Sequence, residues 1–111
     1  MQSEHIDRFN IVAANILKAL HSNFPAAFHP TPETIGLTDE VPEIVSGRRQ
    51  TSQEYDSLSL EVKRTLNFLT DEGFVYDRQY KIGPNYVITG KGLQALARID
   101  PSFKAPTIVG A

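Results

Sequence analysis

Few side chains in this sequence have the type and spacing for chemistry. His5, His21 and His29 are the only imidazoles, sixteen and eight residues apart. That spacing does not stack two of them on one helical face as an i, i+4 metal pair requires, and no ligand cluster accompanies them. Cysteine is absent, which excludes disulfides, thiolate zinc sites and a cysteine nucleophile. Thr89-Gly90-Lys91-Gly92 superficially resembles a phosphate-binding loop. Asn85 stands where that loop needs its first glycine, and Gly92 stands where a hydroxyl should reach magnesium. Thr89 therefore reads as a helix cap. No serine lies in a nucleophile-elbow pattern. The expectation is a non-enzymatic protein with no cofactor and no metal.

What remains is charge. The 111 residues sum to −2, and a pI near 5.9 is not that of a dedicated nucleic-acid binder. The distribution is uneven, however. Residues 51–73 carry Glu54, Asp56, Glu61, Asp71 and Glu72 against Lys63 and Arg64, whereas residues 74–111 carry Arg78, Lys81, Lys91, Arg98 and Lys104 against Asp77 and Asp100. The middle is acidic and the C-terminal third basic, a modest imbalance that suits a solvated surface as readily as a binding footprint. Apolar content of 41% and 22% charged residues fit one soluble domain. No apolar run approaches the ~18 residues needed to span a bilayer, and Phe9–Leu20 is too polar for a signal peptide. A cytoplasmic location is expected.

The elements that would position these groups are legible in part. Ile6, Phe9, Ala13, Ile16, Leu17, Leu20 and Phe24 share one side of a helix predicted over 4–22, with Val12 and Ile16 widening the stripe toward one flank. Prolines and glycines punctuate 25–50; a short strand at 34–37 and a short helix near 39–46 fit there. Thr51 and Glu54 have capping-box spacing, and Tyr55, Leu58, Val62, Leu66 and Leu69 form a tight stripe. Gly73 suits the left-handed residue that ends a helix, with Phe74 closing on Leu69. The spacing predicts a helix over 52–72, with a break near Asp56–Ser57 as the alternative. A hairpin over 74–88 follows, then a helix capped by Thr89 and closed by Asp100-Pro101. Residues 1–100 form the expected domain, and 101–111 an extended tail.

The order helix, strand, short helix, long helix, hairpin, helix resembles a winged helix-turn-helix domain: mainly α with a small β-hairpin or three-stranded sheet. The run Thr65–Val75 resembles the end of a recognition helix entering the wing. Tyr86-Val87-Ile88-Thr89-Gly90-Lys91-Gly92-Leu93 resembles the "LTxKG" wing close of MarR-like bacterial regulators, with Ile88 in place of leucine. The resemblance implies that the long helix enters the major groove of double-stranded DNA, where Arg64 and Asn67 read guanine and adenine edges. Arg48, Arg49, Lys63, Arg78 and Lys81 would then neutralise phosphates. Leu60 and Phe68 fall roughly 160° and 240° from Val62 on the helix. With Val12, Ile16 and Phe103 they suggest a homodimer or another protein contact. Phe68 is alternatively covered by the 25–50 segment. The competing function is a protein-interaction module without DNA binding.

Overall fold

The computed structural model describes residues 4–79 and 83–109. It is mainly α with two small antiparallel hairpins. The elements run α1 (Glu4–Asn23), β1 (Glu43–Val45), β2 (Arg48–Gln50), α2 (Gln53–Asp71), β3 (Val75–Asp77), β4 (Tyr86–Ile88) and α3 (Gly90–Ile99). β1 pairs with β2 and β3 with β4, in register Ile44 to Arg49 and Tyr76 to Val87. Phe28 adds a one-residue antiparallel bridge to Tyr86 through two 2.8 Å backbone bonds. Among the described residues this bridge is what forms of a third strand beside the β3–β4 hairpin.

α1 is the hub. It packs against α2, α3 and β4 at once, which covers the middle of its apolar stripe and leaves Ile6 and Phe24 at its two ends exposed. Val12 and Ile16 are 0% exposed. They look surplus on a helical wheel, but α1 spends them on its own core, and they offer no surface to a partner. The stripe of α2 meets this core through Val62, Leu66 and Leu69, whereas Leu58 is only half-buried. Leu66→Ala should therefore cost about 2–5 kcal/mol, as large-to-small core changes do. A loss below about 1 kcal/mol on chemical unfolding would mean that this stripe faces elsewhere.

Both ends of α2 are fixed by local chemistry. Its N-cap is Ser52, not Thr51: the Ser52 hydroxyl accepts the Tyr55 amide at 3.0 Å. Thr51 instead donates to the Asp56 carboxylate at 2.5 Å, and α2 continues unbroken through Asp56–Ser57. At the other end Gly73 takes φ +81°. The Phe74 amide reaches the Leu69 carbonyl (2.8 Å) and the Gly73 amide the Thr70 carbonyl (3.1 Å), the paired bonds of a Schellman ending.

The 25–50 segment departs from expectation. Residues 34–37 form turns, and the helix expected near 39–46 is replaced by the β1–β2 hairpin. Ser46 and Gly47, both with positive φ (51° and 77°), form its tip. Positive φ at both central residues marks the two-residue type I′ connection that matches strand twist. All six strand residues are exposed, so the hairpin stands off the body. The C-terminal stretch is not simply extended: Phe103 and Ala105 pack against the core, and Thr107–Val109 make a 3-10 turn.

Candidate functional site

A cleft of about 360 Å³ opens beside α2, bounded by the irregular His29–Pro32 segment, β2 and the β3–β4 hairpin. Helical periodicity decides what reaches it. Ser59, Val62, Lys63, Leu66 and Asn67 share one side of α2 and line the cleft. Leu58, Glu61, Arg64 and Thr65 point instead into a hollow shared with α1. The structure thus brings together Arg49, Lys63 and Asn67 from the sequence-predicted set and sets Arg64 on the other flank.

Two carboxylates from the irregular segment lash it to the start of α2. Glu40 accepts from the Ser52 amide at 2.8 Å and from its hydroxyl. Glu33 accepts from the hydroxyl of Tyr55, whose ring is buried. Burial first, then the bond to Glu33 and its charge, push the Tyr55 hydroxyl up to about 12. Burial also pulls the Glu33 carboxyl upward. Hydrogen bonds from Tyr55, its own backbone and Thr31, with the Arg49 charge, outweigh that and hold it below the usual carboxylate range. The Arg49 guanidinium lies 5.8 Å from the Tyr55 ring centre, a cation–π distance that keeps it over the cleft. Strand alternation turns Arg48 to the opposite face of its hairpin.

Arg78 is exposed on the far hairpin. Its guanidinium lies 5.6 Å from the Tyr76 ring, and its amide bonds the Asn85 carbonyl at 2.7 Å. Lys81 lies outside the described residues. Among the acids expected to oppose these cations, Glu61 is engaged by α1: Arg8 grips it with two bonds of 2.7 and 2.8 Å. The pair raises the Arg8 pKa through the hydrogen bond to Glu61. Among the described residues it is the one ion pair within 4.0 Å. Glu54 and Asp71 remain exposed on α2.

A second surface is apolar. A groove of about 440 Å³ runs between α1, α2 and α3, lined by Phe9, Ala13, Leu17, Phe68, Phe74 and Ile99. Phe68 is 48% exposed and is met edge-on by Phe9 at 5.3 Å. Its neighbour is therefore α1, not the 25–50 segment. Leu60 is likewise half exposed at 47%. Phe103 is half-buried on its own chain, edge-on to His21 at 5.1 Å with the Lys18 ammonium 5.6 Å from its ring. That packing removes much of what it could offer a partner.

Sequence reasoning missed His29, Glu33, Glu40 and Tyr55. Tyr55 carried a signal, since a phenol on a core stripe needs a partner for its hydroxyl. Among the described residues no three metal-ligating side chains converge, and no helix is long and apolar enough to cross a membrane. No family model, curated protein or solved structure matches the chain.

Proposed function

We propose that the chain is a non-enzymatic DNA-binding regulatory protein of winged-helix type. In this reading α2 enters the major groove and the β3–β4 hairpin acts as the wing. The observation that carries it is the grouping of Arg49, Lys63 and Asn67 along one exposed edge of α2, with a hairpin on either side. The Arg8–Glu61 pair supports it by offsetting a negative charge in the hollow that Arg64 also lines. Arg78 extends the cationic surface along the β3–β4 hairpin, whereas Arg48 faces away from it. Fluorescence anisotropy with a random-sequence duplex at low ionic strength tests the reading, and no salt-sensitive binding removes it.

A second reading, contact between two copies of the chain, is favoured by the apolar groove. An isologous contact presents the same patch twice. Phe68 and Ile99, which line it, each leave about half their surface exposed (48% and 58%). A stable two-fold contact there should bury roughly 1,200–2,000 Å². Light scattering at tens of micromolar should show a dimer that Phe68→Glu converts to monomer. A monomeric wild-type chain removes this reading without touching the first.

A further inference from the structure

We propose that the cleft beside α2 binds one nucleoside monophosphate unit, with the phosphate on Arg49 and Lys63 and the base on the His29–Tyr86 rings. Its volume, about 360 Å³, lies in the ~300–1,000 Å³ range of small-ligand sites. That is far too small for a duplex. Its floor is apolar, from Val62, Leu66 and Tyr86. The His29 ring lies nearly parallel to Tyr86, 23° between planes and 6.4 Å between centres, and the Phe28–Tyr86 bridge beside it fixes that placement. Such a ledge accepts any planar heterocycle by stacking.

The rim supplies the charge. Arg49 and Lys63 line the cleft, and neither has a carboxylate within ion-pair distance among the described residues. Glu33, whose carboxylate feels the Arg49 charge, accepts its hydrogen bond from the Tyr55 hydroxyl and not from Arg49. A phosphate dianion is the ligand group that satisfies a guanidinium and an ammonium together. Asn67 adds an amide with both donors and an acceptor for a base edge. Nothing here requires duplex binding, so the inference stands apart from the reading above. The nucleotide can arrive free or as the unpaired end of a strand.

The test is an amide-resolved NMR titration of the full chain with AMP, GMP, CMP and dTMP, with adenosine and inorganic phosphate as half-ligands. The nucleotides should shift the amides of residues 29, 31, 49, 63 and 67, and each half-ligand should bind at least about tenfold more weakly. Arg49→Ala and Lys63→Ala, both at exposed positions, should each weaken nucleotide binding about tenfold. His29→Ala should weaken nucleotide and leave phosphate unchanged. A 5′-phosphorylated five-nucleotide strand binding more tightly than its mononucleotide identifies the strand end as the source, and equal binding identifies the free nucleotide. Both outcomes support the site. No shift up to roughly 10 mM, shifts confined to other surfaces, or inorganic phosphate binding as tightly as the nucleotides would overturn it.

Discussion

Gly92→Ala should destabilise the protein by about 3 kcal/mol or more, although glycine-to-alanine in a helix interior ordinarily stabilises by roughly 0.5–1 kcal/mol. A Cβ on Gly92 would stand 2.1 Å from the Phe74 carbonyl oxygen and 2.7 Å from Ile88 Cγ1. The carbonyl cannot step aside cheaply, because it accepts the Thr89 amide at 3.1 Å. The Thr89 hydroxyl donates to the Gly73 carbonyl (2.6 Å) and accepts the Gly92 amide (3.1 Å). Lys91 donates to the Glu72 carbonyl at 2.7 Å and sets its ammonium 4.6 Å from the Phe74 ring. Three consecutive carbonyls left over at the end of α2 are thus satisfied by the first turn of α3. Moving α3 outward by the width of a methyl group would strain all of these bonds together. Urea unfolding of Gly92→Ala measures the effect, with the exposed Gly90→Ala expected within about 0.5 kcal/mol of wild type. A Gly92→Ala variant as stable as wild type would mean that α3 does not seat on this loop.

That lock explains why the second half of the chain is legible in sequence. The Thr65–Val75 and Tyr86–Leu93 runs are local instructions: a stripe, a left-handed glycine, a cap. Each is read within a few residues of where it acts. The T-G-K-G tetrapeptide, which superficially resembles a phosphate loop, binds carbonyls of its own chain. The 25–50 segment follows different rules. Pro42 suits the first turn of a helix and the entry to a strand alike, so local preference did not separate the two. Ser46-Gly47 between Glu43-Ile44-Val45 and Arg48-Arg49-Gln50 was the readable signal, a two-residue turn with apolar and cationic flanks.

The candidate site suffered from the same gap. Lys63, Arg64 and Asn67 are recognisable as an outward group from periodicity alone. Which flank of α2 becomes a cleft depends on how the preceding segment wraps it. That is fixed by Glu33 reaching Tyr55 across 22 residues and Glu40 reaching Ser52 across 12. No periodicity encodes contacts at such separations. Periodicity places Phe68 off the core stripe, but not its neighbour Phe9, which belongs to another helix. Val12 and Ile16 were misplaced because a helical wheel shows one stripe and not how many neighbours share it.

Affinity for duplex DNA should fall by about fortyfold between 50 and 200 mM salt. Arg49, Lys63 and Arg78 each neutralising one phosphate give a log–log slope of about −2.7, at about −0.9 per phosphate. Arg78→Ala should weaken binding to every sequence and flatten the slope by about one unit. Arg64→Ala and Asn67→Ala should mainly relax sequence preference. The two sit on opposite flanks of α2, so they should affect different base positions. Arg8→Ala supplies a control that touches no proposed DNA contact. It leaves Glu61 unpaired, and because the pair is partly exposed (44% and 30%), the fold should lose no more than about 1 kcal/mol. The uncompensated carboxylate beside Arg64 should nevertheless repel phosphate and weaken binding several-fold at low salt. That difference should vanish at high salt, because at 1 M the Debye length is about 3 Å and charges farther apart than that are largely screened. If Arg8→Ala binds DNA as wild type does while Arg78→Ala changes neither affinity nor slope, α2 does not face the duplex. The apolar groove would then be the surface through which this protein acts.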